Sequence, residues 1–211
     1  MSVFNRGYKA IALSLILVAI STPVLAHHPL GGGTPSNFLQ GFLSGLGHPI
    51  IGLDHFAFVV AVGLLAVLKK RLGILIPLAF ALATALGTLI HLQSINLPIL
   101  EIIIALSVVG IGLALALPKG FNLGFLVVMG SIAGIFHGFA YGEAIFGAEM
   151  TPLGAYLLGF TGIQLVVSAI AFYGGRLTLS SVSQQTSLTL RFAGCLISGM
   201  GITFLSNALL P

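Results

Sequence analysis

The sequence predicts an all-α membrane protein, a polytopic bundle of about six transmembrane helices behind a cleavable signal peptide. Three observations predict it. Hydrophobic residues make up 57% of the 211 residues and charged residues only 6%, whereas a soluble domain carries about 25% charged residues. The mean hydropathy is +1.15, more apolar surface than so few charges could cover in water. The apolar residues also run in stretches of about 20, the length that crosses a bilayer. The formal charge of +4 is spread thinly, with no basic patch, so nucleic acid is not an expected partner. Cys195 is the single cysteine and cannot form an internal disulfide.

At the N-terminus, Arg6 and Lys9 form a basic region, Ala10 to Ile20 an apolar core, and Val24 to Ala26 a small-residue cleavage site. Residues 1–26 are therefore expected to be a signal peptide and 27–211 a single transmembrane domain. Cleavage would expose His27 and His28 on a flexible "PLGGGTPSN" segment. Further apolar stretches follow near 49–68, 72–91, 98–117, 121–141, 152–173 and 188–209, joined by links too short for a soluble domain. Lys69, Lys70 and Arg71 lie after the first, Lys119 after the third, and Arg176 and Arg191 flank the link between the fifth and sixth. All six fall on one side, which the positive-inside rule makes cytoplasmic. The mature N-terminus and the C-terminus are then expected in the periplasm, with the protein in the inner membrane.

The histidines and carboxylates fall at the other side. His48, Asp54 and His55 lie in the outer part of the first stretch, and His91 at the outer end of the second. Glu101 lies near the outer end of the third. His137 and Glu143 lie toward the outer end of the fourth, with Glu149 beyond. Acids tolerated near an interface would be a bland account. It does not explain imidazoles and carboxylates gathered within apolar segments, where an ionised group costs about 2.5–3.5 kcal/mol near the bilayer centre. On one continuous helix starting at Pro49, His48 and His55 return to within about 20° of one face, and Asp54 points about 120° away. His48, just before the helix, is free to bend back, so the three side chains could converge. Gly52 shares the histidine face. In the fourth stretch Gly130, Gly134, Gly138 and Gly142 repeat every four residues, a pattern for close helix contact, and His137 adjoins it. Imidazole nitrogen with carboxylate oxygen suits nickel, cobalt, zinc, manganese or ferrous iron.

"HPIIGLDH" (48–55) resembles the HPxxGxDH signature of the HupE/UreJ family of bacterial nickel/cobalt permeases. The order of features is similar too: a signal peptide, a histidine-bearing mature N-terminus, a glutamate in the third span and an FHG motif in the fourth. The resemblance covers essentially the whole chain. It implies secondary uptake of Ni²⁺ or Co²⁺ as transported substrate, with no resident cofactor and no enzyme activity. It also implies a metal path through His48, Asp54, His55 and His137, with Glu143 beside the second motif and Glu101 by its place in the third span. One residue departs: Tyr141 stands where the family's FHGxAHGxE motif often has its second histidine, and Glu143 follows Gly142 directly. The alternative from another class is an intramembrane zinc-dependent hydrolase, in which histidines and an aspartate hold Zn²⁺ and activate water. No H-E-x-x-H motif supports it.

Overall fold

The computed structural model describes residues 33–95, 97–117, 120–179 and 188–210. The expected signal peptide, His27, His28 and Lys119 lie outside them. Among the described residues every regular element is helical. The α-helices are α1 (Phe38–Ile51), α2 (Leu53–Val67), α3 (Leu75–His91), α4 (Leu100–Ala116), α5 (Leu123–Glu143), α6 (Met150–Leu179) and α7 (Leu188–Leu209), with a 3₁₀ turn over Lys70–Ile74. Each apolar stretch from 72 onward is thus a helix, and the first, 49–68, contains α2 and the end of α1.

α2 sits at the centre. Ala57, Phe58, Val59, Ala61, Val62, Leu65 and Ala66 are all buried on it, while the stripe Phe56, Val60, Leu64 and Val67 is only partly buried, so most but not all of this uniformly apolar helix is covered. The other helices pair around it: α1 along α6, α3 along α5, and α4 along α7. Small residues set each pairing. A side chain at Gly41 or Gly45 would strike the backbone of Pro152 or Tyr156 on α6. One at Gly138 would strike Thr84, and one at Gly142 would come 2.7 Å from the Cβ of His91, both on α3. One at Gly194 would lie 2.6 Å from Ala116 N and Gly112 O on α4. The four-residue glycine stripe of α5 is therefore the seam with α3. Side-chain hydrogen bonds add to the packing: Thr88 Oγ1 donates to Gly138 O at 2.7 Å across the α3–α5 seam, and Ser168 Oγ on α6 donates to Val59 O on α2 at 3.2 Å.

The outer faces are greasy. Leu82 is 68% exposed and Ile170 67%, which a bundle tolerates only when its solvent is lipid. The basic residues gather at one end. Lys69 Nζ donates to the carbonyl of Phe121 before α5, and Arg191 Nε to that of Ala116 at the end of α4, at 3.1 Å. Gly175, next to Arg176, packs against Val67 and Leu190. His48, His91 and the end of α5 lie toward the opposite end.

Two features differ from the sequence reading. The first span is not one helix beginning at Pro49. His48 and Pro49 belong to the last turn of α1, and α1 and α2 are bent by 80° at Gly52. α1 escapes a hydropathy reading because its 14 residues are too few for a span, and its apolar residues Phe38, Leu39 and Leu43 are exposed while its buried face is Gly41, Ser44, Gly45, His48 and Pro49. Its start is nonetheless well marked, since Asn37 Oδ1 accepts from Gln40 N at 3.0 Å. The second difference is the number of spans. Among the described residues four helices are long and apolar enough to cross a membrane alone, and the bent α1–α2 pair makes five. α4, at 17 residues, is about 25 Å long, short of the ~30 Å hydrocarbon core.

Candidate functional site

Three histidines from three helices meet beside the break. His48 comes from the last turn of α1, His55 from the first turn of α2, and His137 from within α5. They are 5%, 3% and 0% exposed, so their ring nitrogens need partners inside the protein. The His48 and His55 ring centroids are 5.8 Å apart, and those of His55 and His137 4.9 Å. His55 Nδ1 and His137 Nδ1 lie 2.8 Å from one another.

Each end of this row is tied to a hydroxyl. Tyr156 Oη, on α6, lies 3.0 Å from His48 Nδ1 and 2.8 Å from the carbonyl of Tyr141. A carbonyl can only accept, so the single hydroxyl proton goes to Tyr141 O, and His48 Nδ1 donates to Tyr156. That places the lone pair of a neutral His48 on Nε2. At the other end Ser107 Oγ, on α4, lies 2.9 Å from His137 Nε2 and 2.6 Å from the carbonyl of Ile104.

Aromatic rings wall the row. Tyr141 packs edge-on to His48 and His55 at 4.9 and 4.7 Å. Phe58 and Phe80 enclose His137 at 4.6 and 5.6 Å. The Tyr141 hydroxyl is buried without a hydrogen-bond partner among the described residues. Asp54 is half-buried in the first turn of α2, where the helix dipole favours a carboxylate. Its Oδ1 accepts from His55 N at 2.8 Å. Gly52 makes room for this. A Cβ there would lie 2.7 Å from His55 Cδ2 and 3.3 Å from Asp54 Oδ1, so glycine is needed for side-chain clearance, its φ being an ordinary −70°.

The remaining candidates stand apart. Glu101 and Glu143 are exposed, at the start of α4 and the end of α5. Glu149 is exposed as well. His91 is buried against Phe139 and Phe146, at 4.6 and 5.7 Å. Among the described residues no three His, Cys, Asp or Glu side chains form a ready-made metal cage. Sequence reasoning missed Tyr156 and Ser107. Ser107 had a signal, as a hydroxyl in the apolar run of α4 tends to face protein. Tyr156 had none.

A family model described as HupE / UreJ protein matches residues 15–204. The chain belongs to the HupE / UreJ family. It is also 28% identical over 194 residues to Protein HupE of Rhizobium leguminosarum bv. viciae, covering 92% of this chain and 96% of that protein. No solved structure matches. The HupE / UreJ stretch HPIIGLDH now has a physical reading. His48 and Pro49 close α1, Gly52 is the break, and Asp54 and His55 open α2. The spacing that looked like seven steps along one helix is the distance across a corner.

Proposed function

We propose that this HupE / UreJ protein is a permease for divalent metal, nickel or cobalt, carrying it across the inner membrane from the periplasm. The observation that carries this reading is the corner itself. Two buried imidazoles and a half-buried carboxylate flank one helix break, and His48 has its Nε2 lone pair set by Tyr156. Nitrogen and oxygen donors of this kind suit Ni²⁺ and Co²⁺. An open corner suits transport better than a cage, since an ion must bind and also leave. His48, Asp54 and His55 receive the ion. Glu101 and Glu143, exposed toward the same end, draw the cation in, and His137 backs His55 from behind. The basic end faces the cytoplasm, in accord with the positive-inside rule.

The test is nickel-63 and cobalt-57 accumulation in cells lacking other importers, with the membrane amount of each variant measured alongside. His55→Ala and Asp54→Asn should each abolish uptake while inserting normally, because each makes the helix cheaper to place in lipid. Near-normal uptake by both would sink the site. Competition between the two metals in the unmodified protein names the preferred ion.

A further inference from the structure

Ser107 lies in neither sequence motif, yet it holds the far end of the histidine row. Its Oγ is 2.6 Å from the carbonyl of Ile104, the back-bond a helical serine makes to the preceding turn. Two oxygens so close need a proton between them, and only the serine has one. Ser107 therefore donates to Ile104 O, and toward His137 Nε2, at 2.9 Å, it can only accept. His137 must carry its hydrogen on Nε2. In a neutral imidazole the other nitrogen is then a bare acceptor. That nitrogen, Nδ1, faces His55 Nδ1 at 2.8 Å, so the hydrogen between them belongs to His55. A neutral His55 then has its lone pair on Nε2.

We propose that Ser107 and His137 are positioning residues: the order Ile104 carbonyl, Ser107 hydroxyl, His137 imidazole locks His55 as its Nδ1–H tautomer and makes Nε2 its ion-binding atom. This rests on His55 being an ion ligand, as proposed above. It assigns His137 a role different from direct ligation, since both of its ring nitrogens are engaged within the row. It also makes the two ends of the site alike. Tyr156 fixes His48, and Ser107 through His137 fixes His55, each leaving Nε2 as the donor. Such outer partners set ligand tautomer and orientation in metal sites generally.

The experiment is ¹⁵N NMR of the full-length, metal-free protein labelled at histidine nitrogen, with His55→Ala used to identify the His55 signals. The expected pattern is a protonated Nδ1 and a bare Nε2 on His55. Ser107→Ala should mix the two tautomers and lower nickel-63 uptake at limiting metal about tenfold, the low end for loss of an outer partner. Ser107→Thr, which keeps the hydroxyl, should restore both. A protonated Nε2 on His55 in the unmodified protein overturns the proposal, even if Ser107→Ala does not accumulate. So does a Ser107→Ala protein with unchanged tautomer and uptake. The two readings fail separately. Loss of uptake in His55→Ala with a silent Ser107→Ala sinks only this inference, whereas normal uptake in His55→Ala and Asp54→Asn sinks the transport site and leaves the tautomer result standing.

Discussion

His137 and His91 are both buried imidazoles at the seam of α3 and α5, both ringed by phenylalanines, and they use their nitrogens in opposite ways. His137 has Ser107 on one nitrogen and His55 on the other. His91 has a buried Nδ1 with no hydrogen-bond partner among the described residues, its ring pressed over Gly142 and beside Phe139 and Phe146. An unsatisfied buried polar atom costs about 1–3 kcal/mol. The contrast teaches that burial and aromatic company alone do not tie a histidine to its neighbours. What separates the two is hydrogen bonding: His137 has both ring nitrogens engaged, one of them on His55, and in the proposed site it thereby sets which nitrogen His55 leaves for a ligand.

Three substitutions probe how far that contrast holds. The largest effect is expected from Gly52→Ala. Its new methyl would press on the His55 ring and the Asp54 carboxylate, so uptake should fall about tenfold or more with insertion unchanged, as for loss of an outer partner. Metal accumulation per unit of membrane protein checks it, and unchanged uptake would mean that the corner tolerates a displaced ring. Tyr141→Phe comes next. It deletes a buried hydroxyl that has no partner among the described residues, so thermal stability should rise by about 1 kcal/mol. Uptake should nevertheless drop a few-fold, because the Tyr141 ring packs on His48 and His55 and carries a hydroxyl that a hydrated ion could use as an acceptor while shedding water. A rise in both would reduce Tyr141 to a wall. The smallest effect is expected from His91→Leu, which removes the orphan nitrogen at similar volume. Uptake should stay within about twofold and thermal stability should rise, by the same desolvation argument. Loss of transport there, with the protein present in the membrane, would break the distinction between the two histidines.

Much of the fold was legible because lipid demands long apolar runs, and α2 to α7 each coincide with one. α1 was not, because its 14 residues fall short of a span and its apolar residues face outward, while the buried face is built from Gly41, Ser44 and Gly45, small residues that allow close approach. The bend was hidden for a related reason. Gly52 sits inside an apolar stretch with an unremarkable φ, and only the position of the His55 ring reveals why no side chain fits there. His48, Asp54, His55 and His137 could be singled out by residue type, yet the face angle computed along one continuous helix was the wrong geometry for the first three. Glu101 and Glu143 shared the depth of the histidines but not their interior position, which depends on rotation about each helix axis. Tyr156 and Ser107 became visible only once the helices were packed, because hydrogen bonds over 108 and 30 residues of sequence leave no local mark.

The pairing of α1 with α6 and of α4 with α7 has a consequence for how the protein is made. The chain leaves the ribosome from its N-terminus, so the grooves at Gly41, Gly45 and Gly112 enter the membrane long before the helices that fill them. Until α6 arrives, His48 has no Tyr156 to bond. Until α7 arrives, α4, the short helix that carries Ser107, lacks its neighbour along the membrane. Assembly of the corner thus waits for the last third of the polypeptide, and a nascent chain released early would hold its histidines in the bilayer without the arrangement that could seize an ion.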